Sequence, residues 1–298
     1  MASKHASWEL EEGASIAEGR TVLKGLGGGN RYEVFLVWDD RMHAICVAKL
    51  LRPDQSDNER ALEDLAAEAE LLDRLAHPVI VRGFDAVLEG EHPHVMIEHL
   101  EGPSLRRLIR RGGPLGPEQL LPLALNVAGA LHYMEQAGFV HLDVKPDNII
   151  MGVPPRLIDL SIARTLDRAA HSRGPIGTDA YMAPEQCLRE PAEPMGPPAD
   201  VWGLGATLQH SLSGERPFPR PKGARHDPDP NLRFPQLHSP PQPLPDHVAP
   251  DLGELISEML APAPAVRPSA AEVAERLEPV IARQPSRIRL GRRRGGGL

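Results

Sequence analysis

The sequence predicts an α+β fold in which a small antiparallel sheet carrying one helix precedes a longer second part of the chain. Three observations carry this. Apolar runs punctuated by glycine and polar turns fill about the first hundred residues, and one strong helical stripe interrupts them at 57–76. A polar octapeptide, HLDVKPDN at 141–148, then stands eleven residues ahead of Asp159, which sits inside the apolar run LIDLSIA.

The elements follow in order. Residues 26–34 read LGGGNRYEV, between an apolar stretch ending at Leu23 and another at 34–38, which is a strand, a glycine turn and a strand. Read alone, this is a hairpin. The next strand, 44–51, buries Lys49 in the run ICVAKLL; a lysine in an apolar strand is costly unless paired, so an acidic partner is required. The helix at 57–76 places Leu62, Leu65, Ala69, Leu72 and Leu75 on one stripe and offers two candidates, Glu68, 19 positions after Lys49, and Glu70. Residues 94–100, HVMIEHL, read as a buried strand.

Composition narrows the classes. A formal charge of −8 argues against a general nucleic-acid binder, and 41% apolar residues among 298 can bury a core in each of two lobes. Cys46 and Cys187 stand far apart without metal-ligand spacing, which predicts a reducing, cytoplasmic setting; no signal peptide and no apolar run near 18 residues is found. Residues 217–250 hold 11 prolines in 34 positions and predict an irregular, extended crossing. Residues 283–298 hold six arginines and read as a disordered basic tail, suited at most to weak contact with an acidic partner or anionic lipid.

The octapeptide and Asp159 supply a distinctive set of groups. Asp143 can accept a hydroxyl proton, Lys145 can neutralise a phosphoryl oxygen, and Asn148 with Asp159 can hold a divalent metal. GTDAYMAPE (177–185), DVWGLG (200–205) and Arg267 in APAVRPSA follow in order. In these motifs the chain resembles the bacterial eukaryotic-like (Hanks-type) serine/threonine protein kinases, and its arginine and alanine bias resembles actinobacterial members. The resemblance spans about residues 15–283.

It implies a bilobal protein-kinase fold: an N-terminal extension (1–14), a sheet-based N-lobe with one regulatory helix and the hinge (15–100), a mainly helical C-lobe (101–282) and the tail (283–298). It implies ATP with Mg2+, or Mn2+, as cofactors, protein serine or threonine as acceptor, and autophosphorylation. Lys49 would meet the α and β phosphates with Glu68 orienting it; Leu26, Gly27, Gly28, Gly29, Val34 and Ala48 would enclose the nucleotide. Ile97 would stand behind the adenine, Glu98 and Leu100 would offer backbone to it, and Asn148 and Asp159 would carry the metals. Thr178 would lie near the acceptor, and Glu185 would pair with Arg267. Only five of the 33 cations are lysine, yet Lys49 and Lys145 both fall at implied phosphate contacts. Three positions depart from the family pattern: Tyr32 replaces a third loop glycine, Leu160-Ser161 replace Phe-Gly, and Leu142 replaces arginine before Asp143. The first two leave a pseudokinase, a nucleotide-binding scaffold without turnover, as the alternative.

Overall fold

Strand alternation carries the N-terminal part of the chain into one antiparallel sheet. The computed structural model describes residues 6–188 and 193–282. Strands β1 (Ser15–Ala17), β2 (Arg20–Gly28), β3 (Tyr32–Asp39) and β4 (Ala44–Leu51) precede helix α1 (Glu59–Arg74), and β5 (Gly83–Val87) and β6 (His94–Glu98) follow it. The sheet order is β1-β2-β3-β4-β6-β5. Because successive side chains point to opposite faces, Cys46, Ala48 and Leu50 of β4 join Val22, Phe35, Val37 and Met96 on one side. Leu51 falls on the other, in a cluster with Ala61, Leu65 and Leu72 of α1.

Helix α1 starts where Asn58 accepts the Ala61 N–H at 3.2 Å, which satisfies one of the donors a helix start leaves open. Of the predicted stripe, Leu65, Leu72 and Leu75 are buried while Leu62 and Ala69 are half-buried. The inward face is rotated to take in Ala61, Glu68 and Leu71, a rotation that delivers Glu68 to Lys49. Residues ahead of the first strand also pack: the Trp8 indole N–H donates to Leu51 O at 2.7 Å, and Ser7 donates to Glu33 at 2.7 Å.

The second part is mainly helical. Helices α2 (Leu105–Gly112) and α3 (Pro117–Gln136) lead into three short ribbon strands, β7 (Phe139–Val140), β8 (Ile149–Ile150) and β9 (Arg156–Leu157). Strand β10 (Arg164–Thr165) returns to pair with β7 and runs into α4 (Leu166–Ala170). Then come α5 (Pro184–Cys187), α6 (Pro197–Ser213), the one-turn α7 (Pro230–Arg233), α8 (Pro250–Met259) and α9 (Ala270–Ala282). Helix α6 is buried from Ala199 to Leu212 and forms the centre of this lobe, with Trp202 stacked on Phe218 at 5.4 Å between ring centres.

The proline-rich crossing carries α7 and isolated 3-10 turns only. It is nonetheless anchored: Arg220 and Arg233 donate to Asp179 at 2.8 and 3.1 Å, and the Gln236 amide donates to Asp179 O and Met182 O. The predicted basic tail at 283–298 lies outside the described residues.

Candidate active site

Lys49 is the point where sheet, helix and second lobe meet. Its Nζ lies 2.8 and 2.9 Å from the Glu68 carboxylate oxygens and 2.7 Å from Asp159 Oδ1. Glu70 points away and pairs with Arg74 on the surface, so Glu68 is the partner that burial required. Burial alone would lower the lysine pKa, but the Asp159 and Glu68 carboxylates outweigh it and hold the ammonium above its ordinary value. Burial likewise opposes ionisation of Asp159, and Lys49 overrides it, holding that carboxyl well below the carboxylate range. Glu68 is shifted up because desolvation dominates its attraction to Lys49.

The octapeptide forms the facing wall. Lys145 Nζ donates to Asp143 Oδ2 at 2.5 Å and to Thr178 Oγ1 at 2.7 Å. Asn148 Nδ2 donates to the Asp143 carbonyl at 3.0 Å and to its Oδ2 at 3.1 Å. Asp143 Oδ2 is thus saturated, whereas Oδ1 is buried and accepts nothing among the described residues. Both side-chain bonds of Asn148 use its amide nitrogen, so among the described residues its amide oxygen accepts nothing, and the Ile158 N–H on Asn148 O at 2.8 Å keeps Asp159 beside it.

This loop is held from below by the first residue of the DVWGLG motif, to which the sequence reading gave no role. Asp200 of α6 accepts the His141 and Leu142 N–H groups, both at 2.7 Å. Leu142 sits at φ 64 and Asp159 at φ 67, a left-handed conformation costing leucine about 1–2 kcal/mol. Asp200 and the Gln186 amide on Leu142 O, at 2.9 Å, compensate for it. Gly177 completes the approach: at φ 123, a Cβ there would come within 2.9 Å of Leu142 O, so only glycine fits.

The sheet face above Lys49 corrects one expectation. Ala48 is fully buried in the far-side cluster, because it neighbours Lys49 in a period-2 strand. The residues on the Lys49 face are its cross-strand partner Val34, together with Val47 and Val47's partner Ile97. Val47, not Ala48, therefore lines the cleft. Leu26 is half-exposed at a register shift of β2 between Gly25 and Gly27. Gly28 is packed against the Tyr32 carbonyl, which a Cβ would meet at 2.3 Å; Gly27 and Gly29 are open. At the lobe junction the Glu98 carboxylate is engaged by Arg156 and by the Arg82 N–H, while the Leu100 N–H bonds nothing among the described residues.

Tyr32 is not at the loop tip, where a third glycine would act. As the first residue of β3 it turns inward, 8% exposed, with Lys49 Nζ 4.4 Å from its ring centre. Among the described residues its buried hydroxyl has no well-formed hydrogen bond, with Arg31 nearby, and burial raises its pKa to about 12. A buried unsatisfied hydroxyl costs about 1–3 kcal/mol. Tyr32→Phe is therefore expected to raise the melting temperature by about 2 °C or more. An unchanged or lower midpoint in a thermal melt would mean that the hydroxyl has a partner.

The chain matches the protein kinase domain model over residues 20–277 and belongs to that family. It is 31% identical over 202 residues to serine/threonine-protein kinase PknB of Mycobacterium leprae, covering 65% of this chain and 32% of that protein. It is 31% identical over 259 residues to probable serine/threonine-protein kinase PkwA of Thermomonospora curvata, covering 86% and 33% respectively. The chain thus spans about a third of the length of these curated bacterial relatives. Its family uses ATP and a divalent metal generally. Among the described residues no helix is long and apolar enough to cross a membrane.

Proposed function

We propose that the protein transfers the γ-phosphoryl group of ATP, with Mg2+ or Mn2+, to serine or threonine hydroxyls of protein substrates and of itself. The observation that carries this reading is the asymmetry of Asp143: one oxygen is held by Lys145 and Asn148, the other is buried and accepts nothing among the described residues, and the same Lys145 also binds the Thr178 hydroxyl. That oxygen is placed to orient an acceptor hydroxyl and take its proton. Lys145 offsets charge on the transferred group, and Lys49, fixed by Glu68, offers its ammonium to the nucleotide phosphates. The Asn148 amide oxygen and the Asp159 carboxylate are hard donors that suit Mg2+, which uses few protein ligands alongside substrate phosphates. When bound, the metal neutralises phosphate charge. Val34, Val47 and Ile97 give the base an apolar wall.

The two free cysteines, both buried, accord with work in a reducing cytoplasm. A labelled-ATP assay with and without a generic protein substrate tests the reading. Label in the protein supports it; binding without turnover would favour the scaffold alternative.

Regulation by the segment 159–185 follows from Leu142, which is buried and puts an apolar side chain where the family pattern has an arginine for a phosphate to pair with; Lys145, the cation beside Asp143, is already committed to Asp143 and Thr178. The segment is already ordered by the β10–β7 pairing, by Gly177 and by Gln186. Phosphatase-treated and autophosphorylated enzyme are therefore expected to differ less than tenfold in initial rate on one peptide. Arg164 donates to Ser172 Oγ at 2.8 Å, with burial and then Arg168 lowering its pKa. A gain above roughly tenfold, about 1.4 kcal/mol, would instead assign these arginines as a receptor for phosphorylated Ser172.

A further inference from the structure

A cavity of about 620 Å3, away from Lys49 and Asp159, opens between α2, the end of α6 and the proline-rich crossing. Its wall is cationic in a chain of net charge −8: Arg106, Arg216, Lys222 and Arg225 line it, and Glu215 is the one carboxylate. Among the described residues none of these four cations has an ion-pair partner. Arg220, also in the wall, is committed to Asp179. Unbalanced cations around a concave surface focus the field and raise the local concentration of anions.

The cavity is wired to the acceptor region. The buried His210 shares Nε2 with the Arg106 guanidinium at 3.2 Å and Nδ1 with the Tyr181 hydroxyl at 2.7 Å. A guanidinium only donates, so Nε2 accepts and Nδ1–H donates to Tyr181. Burial, with Arg106 and Arg216, lowers the His210 pKa to about 4, so the imidazole is neutral and adds no charge of its own. Tyr181 N–H bonds Thr178 O at 2.8 Å, and Thr178 in turn bonds Lys145 next to Asp143. That bonded series joins the wall to the Asp143 side chain, and the residues that flank an acceptor at Asp143, each advancing an extended peptide by about 3.3 Å, are the ones that can follow it.

We propose that this cavity is a subsite for anionic side chains of the protein substrate, selecting serine or threonine acceptors flanked by acidic or phosphorylated residues. The inference rests on the kinase reading and adds the substrate class to it. Arginine clusters of this kind recognise acidic and phosphorylated motifs by charge-assisted hydrogen bonds.

Its test uses acceptor peptides that differ only in a flanking block of Glu, Ala, Lys or phosphoserine. KM is expected to be about tenfold lower for the Glu block than for Ala, higher for Lys, and to converge as salt rises. Phosphoserine below Glu would identify phosphorylated motifs as the preferred source. The double variant Arg216→Glu with Arg225→Glu, at two exposed side chains, should reverse the order of Glu and Lys; the single Arg225→Gln should narrow it. Equal KM values for all blocks would overturn the inference while leaving the kinase reading intact. Anisotropy of a fluorescent Glu-block peptide gives a readout without turnover. Loss of binding on charge reversal supports the subsite even in a chain that does not phosphorylate, and binding indifferent to the reversal sinks it.

Discussion

Asp143→Asn is expected to slow phosphoryl transfer by at least a hundredfold, a barrier increase of roughly 2.7 kcal/mol or more, with little change in folding. Asparagine keeps the shape and can still meet Lys145 or Asn148 through its oxygen. It loses the second basic oxygen, the one buried without a partner. Lys49→Met should cause a loss of similar size by a different route, raising KM for ATP along with the fall in rate, because its ammonium joins Glu68 to Asp159. Initial rates across an ATP titration distinguish the two. Near-normal turnover of purified Asp143→Asn would remove that residue as the base.

The largest expected effect on stability is at Arg267. Its guanidinium donates to both Glu185 oxygens at 2.7 and 2.9 Å and to the carbonyls of Ala261, Pro198 and Pro262, and it lies 4.9 Å from the Trp202 ring centre. Every donor direction of a planar fork is used. Arg267→Ala leaves Glu185, 5% exposed, as an uncompensated buried carboxylate, which costs about 3–5 kcal/mol. That is a large share of the roughly 5–15 kcal/mol by which domains are stable, so the midpoint in urea should fall clearly. Arg267→Lys should recover little of it, since one ammonium cannot serve five acceptors. A loss under about 1 kcal/mol would show that the pair is not desolvated.

The sheet, α1, the Lys49–Glu68 pair and the polar loop were legible because each rests on a local rule: alternation, a helical stripe, the need of a buried lysine for an acid. The crossing at 217–250 was legible for the same reason, proline density. Ala48 was misassigned although alternation was available, since counting two residues from Lys49 gives Val47. Tyr32 could not be placed, because whether a side chain at a turn faces in or out depends on the cluster of Leu51, Ala61 and Leu65 that receives it. Asp200 lies 58 residues from the amide it holds on Leu142, and the cationic cavity draws on α2, α6 and the crossing. No local pattern reports such meetings.

The Asp200 clamp ties the chemistry to the deepest part of the lobe. The two amides it accepts can exchange hydrogen with solvent only if the loop leaves α6, and α6 is buried along almost its whole length. Their opening is therefore bound to the cooperative opening of the lobe, at the high end of the protection a protein shows. The glycine turn at 25–30 is exposed and can exchange at far lower cost. In hydrogen-exchange terms the loop 141–148 is expected to belong to the slowest unit of the molecule and the glycine turn to the fastest, so that, on the proposed function, ligands could come and go while Asp143 stays fixed in place.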